Sequence, residues 1–569
     1  MLSIHFIAIW TGLLLASRGS SLANTLFERG VDNPTSENFL RRFYMTLAVL
    51  GDYVYIDGGE VSQLVDGVAD EGHHSYLVNT TLSIPISSSW TNETVALRSI
   101  PKSAPPQNAP ITWVDTSTSS FYGWGGFKFQ GPPADNLIWK FKADGKGGGA
   151  WGQIAPANIV AFNNATRPFF ADFATHGGVG YALGGMVSYE SEATARGRTA
   201  ISGLVSFDME SLTWKNASSS GHGTYGTNWN GRMEPVPFGQ NGLLMILGGG
   251  ESSVTDINTA SLVSWDVVSF VDLHTGKWYS QATTGSRPKA RQNFCSVGLQ
   301  GPNGTYEIFI YGGLSGQDQS SAAADMFVLS LPGFVFFKLP SAGTPRAYHA
   351  CALVGPSGKR ETNKPPRQML SVGGIANVKG LVYSNYSVID PDPWKQGLGV
   401  FDLTEMVWKD RYDADADAYD TPKMVRDWYT EGGVNSVSWA SEDIKAMFEY
   451  GTNRTVDPSG TPNTTESGKG SSLNNSDTAP GNNLNHTGTI VGITVGGVVG
   501  VALITVLAVL LRRRARQSAP QRQRKTSFKM GLPHKGAEQE QMDETYYPEL
   551  YSNHGHSELG PECRHEMPE

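Results

Sequence analysis

Apolar or aromatic runs recur along the first 375 residues, and each ends in a pair of glycines. The copies are YVYIDGG (Gly58-Gly59), FYGWGG (Gly125-Gly126), GYALGG (Gly184-Gly185), LLMILGG (Gly248-Gly249), IFIYGG (Gly312-Gly313) and MLSVGG (Gly373-Gly374). From one second glycine to the next the spacing is 67, 59, 64, 64 and 61 residues. Each copy predicts a strand running into a sharp turn. Four units continue into a second signature: FDMESLTW (207–214), VDLHTGKW (271–278), LSLPGFVF (329–336) and FDLTEMVW (401–408). Strand residues, turn residues and a closing large aromatic (Trp214, Trp278 and Trp408 in three of them) predict β-hairpins. In the first two units, Trp90 and either Trp139 or Trp151 fill the aromatic role. Arg42, Arg167, Arg232, Arg291 and Arg346 start the inner strand of their units.

The residue types explain the pattern. A double glycine lets the backbone turn beside packed neighbours where a Cβ would clash. A large aromatic fills the wedge between adjacent sheets. One sheet cannot bury both of its faces, whereas a ring of sheets can, with few exposed edges. The expectation is an all-β fold of six blades. A further pair, Gly432-Gly433, with Trp439, leaves a seventh blade open, but no strand-like run precedes it. A helical or irregular closing segment over 421–451 is therefore favoured.

The dyad, its apolar lead-in and the downstream Trp resemble the kelch repeat. The likeness covers about Arg41 to Tyr419 and implies a kelch-type β-propeller over residues 41–420. A typical kelch unit has about 50 residues, so these longer units carry extended loops. The segment DPWKQGLGVFDLTEMVWKDRY (392–412) and the ending SELGPECRHEMPE resemble those of fungal single-pass membrane kelch-repeat proteins.

The ends of the chain carry their own signals. Phe6 to Ala16 is an apolar h-region, and Ser21-Leu22-Ala23 supplies small residues for cleavage, so residues 1–23 read as a signal peptide. Residues 24–40 form an N-terminal segment. Thr489 to Leu511 holds 23 residues without a charge, a length that spans a bilayer as a helix. Arg512, Arg513, Arg514 and Arg516 follow it, placing residues 512–569 in the cytoplasm as a disordered tail. Residues 452–488 read as a Ser/Thr/Asn-rich stalk. The sequons at Asn79, Asn92, Asn164, Asn216, Asn303, Asn385, Asn453, Asn463, Asn474 and Asn485 all precede the span. The expectation is a glycosylated, single-pass type I membrane protein with an extracellular or lumenal N-terminus, most simply at the plasma membrane. Gly488, Gly492, Gly496 and Gly500 share one face of the span, a register that allows self-association. Tyr547-Pro548-Glu549-Leu550 matches an adaptor-binding pattern, with Tyr547 and Leu550 as its anchors, and Tyr546 and Tyr551 flank or follow it.

Composition narrows the function. A formal charge of −9 disfavours a nucleic-acid footprint. With 14 Trp, 21 Tyr and 24 Phe the chain can build a large core. Three cysteines exclude a disulfide-dense scaffold.

Candidate chemistry is sparse. Galactose oxidase also has a kelch-type propeller, and that likeness implies a copper site of two His, two Tyr and a thioether-forming Cys. Only Cys295 and Cys351 lie in the propeller here, with His349 as the nearby histidine, so copper chemistry is disfavoured. Two small buried residues is the favoured reading of these cysteines, and a disulfide the next. Asp413, Asp415, Asp417 and Asp420 alternate as in a calcium loop, but Ala418 and Met424 stand where an EF-hand needs Gly and Glu. His73-His74 lack companion zinc ligands. No catalytic residue, metal or cofactor is assigned. The leading expectation is a binding protein whose blade loops recognise a protein or glycan. A propeller enzyme acting on a small molecule and a membrane-to-wall tether are the alternatives.

Overall fold

The computed structural model describes residues 31–69, 75–129, 131–316, 321–357, 365–376 and 388–452. They form an all-β structure with few helices. Six main antiparallel sheets follow one another along the chain, and each opens with an inner strand. These inner strands are β1 (Thr46–Leu50), β2 (Ile111–Asp115), β3 (Asp172–His176), β4 (Arg232–Val236), β5 (Cys295–Gln300) and β6 (Ala350–Val354). Three further strands step outward from each in sequence order. The fifth sheet also gains Thr284–Gly285, paired in parallel with its outermost strand.

The inner strands touch in a closed cycle, β1 to β2 and onward to β6, which returns to β1. Each junction between neighbouring sheets holds its own apolar cluster. Burying both faces of every sheet in this way is the packing logic of a β-propeller, and the described residues adopt that architecture.

The double glycines form the latch between sheets. Both residues of all six pairs have positive φ. The second glycine donates its N–H to a carbonyl of the next sheet: Gly59 to Gln107, Gly126 to Pro168, Gly185 to Asn228, Gly249 to Arg291, Gly313 to Arg346 and Gly374 to Arg42, all at 2.7–2.9 Å. A Cβ on the first glycine would lie closer than 3.0 Å to that same carbonyl oxygen in every case. Arg42, Arg291 and Arg346 themselves carry accepting carbonyls. Arg167 stands one residue earlier and Arg232 lies on β4, so arginine marks the region without marking one equivalent site.

The four aromatic signatures are the outer hairpins of sheets three to six, pairing Phe207 with Trp214, Val271 with Trp278, Leu329 with Phe336 and Phe401 with Trp408. Asp208 and Asp402 accept backbone N–H groups within their turns, and Asp272 does the same for His274. In the second sheet Trp151 fills the role, opposite Phe141. Trp90 does not fill it in the first. It sits on a short bridge to Arg411–Tyr412 and packs tilted against the Tyr412 ring, where the end of the sixth sheet meets the first. The fourth strand of the first sheet is Arg98–Pro101 and has no aromatic.

After the sixth sheet come helices Lys423–Thr430 and Glu442–Thr452. Gly432 and Gly433 lie in the turn between them, and no strand is formed over 421–451. Phe448 packs on Phe238, Phe270 and Phe334, fixing the last helix against sheets four and five. None of the helices among the described residues is long and apolar enough to cross a membrane. The signal peptide, His73-His74, Asn385, the stalk with Asn453, Asn463, Asn474 and Asn485, the span 489–511 with its glycines, and Tyr547 and Leu550 lie outside the described residues.

Candidate functional site

Strand direction divides the loops between two faces. The loops joining second to third strands cover 58–79, 125–137, 184–203, 248–266, 312–325 and 373–397. Their described residues share one face with the latch and with the ends of the strands that lead from sheet to sheet. The opposite face has mostly tight turns, such as 51–52, 177–178 and 209–212, with 86–97 and 355–367 as longer exceptions. The extra length of these repeats is therefore concentrated around one mouth of the central channel.

A belt of main chain rims that mouth. Tyr44, Ala109, Phe170, Asn230, Asn293 and Tyr348 precede the six inner strands, and all have φ between 44° and 61°. This left-handed region is disfavoured for side chains other than glycine. Hydrogen bonds from sheet to sheet hold it. The N–H groups of Ala109, Asn230, Asn293, Tyr348 and Tyr44 donate to the carbonyls of Tyr44, Phe170, Asn230, Asn293 and Tyr348, at 2.7–3.1 Å. Above the belt, Phe127 and Phe129 pack against Tyr44, and Phe127 also packs against Phe169 and Phe170. This aromatic cap belongs to an apolar cluster fed by several of the long loops.

Below the belt lies a cavity of about 210 Å³ with residues from all six sheets or their approaches in its wall. Its polar groups include Arg232, Glu234, Asn293 and Ser296. Ser296 Oγ donates to Glu234 at 2.7 Å. Burial pushes the Glu234 carboxyl up to about 7, against the pull of Ser296 and Arg232. Asp172, behind the wall, is also pushed up to about 7 by burial, opposed by Asn228 and Arg232. Burial lowers Arg232, opposed by Asp172 and Glu234. His349 falls well below the ordinary histidine value, through burial and then the nearby Arg346 and Arg232. The Asn293 amide nitrogen is buried without a hydrogen-bond partner.

Cys295 and Cys351 form a disulfide between β5 and β6, with Cα atoms 5.6 Å apart. The favoured reading of two unbonded buried residues is thus corrected. Neighbouring inner strands bring equivalent positions face to face. His349 joins them: ligand atoms of the three side chains lie within 4.8 Å of one another. The acidic run does not converge in this way. Asp413 accepts Ser89 Oγ and the Asp415 N–H, while Asp420 pairs with Arg426.

The described sequons differ in exposure. Asn164, Asn216 and Asn303 are exposed, whereas Asn79 and Asn92 are half-buried. Asn92 Nδ2 donates to the Leu398 carbonyl at 2.6 Å. Sequence reasoning missed the belt, the cap and the polar cavity. The one available signal was the repeat frame itself, since each belt residue falls within a few positions of an inner strand.

No protein-family model matches the chain. The chain is 22% identical over 451 residues to a Kelch repeat-containing protein of Arthroderma benhamiae, an alignment covering 72% of this chain and 62% of that protein. The chain therefore spans less than two thirds of that relative's length.

Proposed function

We propose that the chain is a six-bladed kelch-type propeller that binds a protein partner through the face bearing its long loops. One observation carries this reading. Among the described residues, the exposed large apolar side chains Val65, Val68, Val160, Tyr189, Tyr225 and Val254 lie in second-to-third-strand loops or in connections between sheets. Val267 opens a third strand on that side, whereas Ile159 and Val160 follow Ala157 and Asn158, which bond Leu212 and Trp214 beside the 209–212 turn. A rigid ring presenting loops is a common way to build a recognition surface, and six of the eight exposed large apolar groups fall on the side that carries the long ones, a placement that favours a protein contact. The distant kelch relative is compatible with such a role.

In this proposal residues 1–23 direct export, the stalk 452–488 holds the propeller away from a membrane, and residues 489–511 anchor it. Self-association through the span glycines and adaptor binding through Tyr547 and Leu550 belong to the same proposal.

The test uses the segment Asn24–Gly488 expressed with its sugars as bait. Saturable capture of one protein is expected. It should be abolished by combining Val68→Asp, Tyr189→Ser and Val254→Asp, and retained in Lys277→Glu on the opposite face. Equal loss in both variants would remove the loop face from the reading. Capture of a glycan in place of a protein would replace the partner class.

A further inference from the structure

The one convergent group of metal-ligating side chains among the described residues sits where two inner strands meet. Cys295 lies on β5, Cys351 on β6, and His349 just ahead of β6. Cys295 and His349 are buried, while Cys351 is half-buried on the wall of the central cavity. A structural role for the disulfide accounts for two of these residues. It does not account for an imidazole within 4.8 Å of both sulfurs.

We propose that Cys295, His349 and Cys351 form a redox-gated site for a thiophilic divalent cation, with zinc as the natural fit. The disulfide is its closed state. A dithiol of the reducing class opens it by exchange: two electrons pass to the protein sulfurs, the S–S bond breaks, and the donor leaves as its own disulfide. Each cysteine thiol then releases a proton to solvent as its sulfur binds the ion.

The geometry suits this exchange. Zinc–sulfur bonds near 2.3 Å in a tetrahedral arrangement place two thiolate sulfurs about 3.7 Å apart. Strands whose Cα atoms are 5.6 Å apart reach that separation by side-chain rotation. Two thiolates and a neutral imidazole cancel the charge of a divalent ion, so no net charge is buried. Three protein ligands leave a fourth position, as in zinc sites that bind an exchangeable molecule, and the Cys351 side directs it to the cavity.

The test uses full-length protein carrying Cys563→Ser, so that the tail thiol contributes nothing. The protein is reduced with a phosphine, freed of reductant and titrated anaerobically with cobalt(II). A thiolate-to-cobalt absorption band should saturate at one cobalt per chain, disappear on adding zinc, and be absent from unreduced protein. It should be lost in Cys351→Ser and in His349→Ala. A second measurement avoids those variants: the same protein from a reducing host should contain two free thiols after unfolding in chelator and one zinc per chain as isolated. The proposal is overturned by reduced, folded protein without a saturable band or bound zinc, or by an unchanged band in His349→Ala. A chain that keeps its disulfide under both treatments overturns it equally.

Discussion

The Tyr44 N–H donates to the Tyr348 carbonyl at 3.0 Å, and the two rings meet edge to face with centroids 4.6 Å apart. This contact joins the approach to the first inner strand with the approach to the last. Beside it, the Gly374 N–H donates to Arg42 at 2.8 Å. The first sheet is thereby bound to the sixth by the glycine latch found at every junction and by the belt bond that also joins four other pairs of neighbours. The ring closes without borrowing a strand from one end of the chain to complete a sheet at the other.

The latch makes a graded prediction for glycine. Gly373 and Gly276 both have positive φ, at 64° and 70°. A Cβ at Gly276 meets open space, whereas at Gly373 it collides with the Arg42 carbonyl. Gly276→Ala should cost only the left-handed penalty, about 1–2 kcal/mol. Gly373→Ala should cost about 1–3 kcal/mol more, the usual range for forced overpacking. Denaturant unfolding of both variants checks the difference, and equal losses would remove the steric part of the argument.

A buried ion pair fixes the long loop of the sixth sheet beside this closure, where the Asp392 N–H donates to the Leu40 carbonyl at 2.8 Å. Arg346 binds Asp392 with both terminal nitrogens, and the pair's side chains are 0% and 1% exposed. The guanidinium also donates to the Gly373 carbonyl and lies 3.7 Å from the centroid of the Trp394 ring. Asp392→Asn leaves the guanidinium buried without its counter-charge, a change that typically costs about 3–5 kcal/mol. Arg346→Lys should also destabilise, because an ammonium cannot reproduce the fork. Unfolding midpoints of the two variants against the parent test this, and a neutral Asp392→Asn would show that solvent reaches the pair.

The parts legible in the sequence are those where physics restricts the residue type. The dyads could be read because positive φ and a carbonyl against the α-carbon leave only glycine. The outer hairpins could be read because Asp208, Asp272 and Asp402 cap turns that lead to an aromatic. The belt could not be read. Its left-handed conformation is imposed by hydrogen bonds from the neighbouring sheet, and Tyr, Ala, Phe and Asn all occupy it. Trp90 was misplaced because any tryptophan after a strand fits the hairpin pattern; only the register of the first sheet shows it bridging to Tyr412. The disulfide was hidden for a related reason. Cys295 and Cys351 are 56 residues apart, and their pairing depends on which inner strands become neighbours. Arg232 and Glu234 alternate on β4 like any strand residues, and nothing local marks their side as the channel.

Exposure separates the sequons if the chain enters a secretory pathway. Asn164, Asn216 and Asn303 are exposed and should carry glycans. Asn92 should not, since its Nδ2, the atom a glycan would take, is bound to the Leu398 carbonyl at 2.6 Å. Mass-spectrometric site mapping after enzymatic deglycosylation in heavy-oxygen water reads each position. A fully occupied Asn92 would mean that sugar transfer precedes the docking of 92 against 398.

The cavity carboxylate makes stability depend on pH with a defined sign. Burial raises Glu234 from 4.5 to about 7 in the folded chain. Between those values the folded state holds a proton that the unfolded state has lost, so this group's contribution falls as pH rises. It is fully present below about pH 4.5 and gone above about pH 7. Asp172 and Glu307, each raised to about 7 by burial, act in the same direction. His222, lowered to about 4 by burial, and His349, lowered well below its ordinary value, act oppositely, losing stability as pH falls below about 6.5. The total profile therefore mixes signs, and the informative quantity is a difference. Glu234→Gln keeps an acceptor for Ser296 and removes the titration. Its stability relative to the parent should climb between about pH 4.5 and 7 and then level off. Denaturant unfolding across that range measures it. A difference that stays flat would mean that Glu234 is ionised throughout, with Arg232 offsetting its burial.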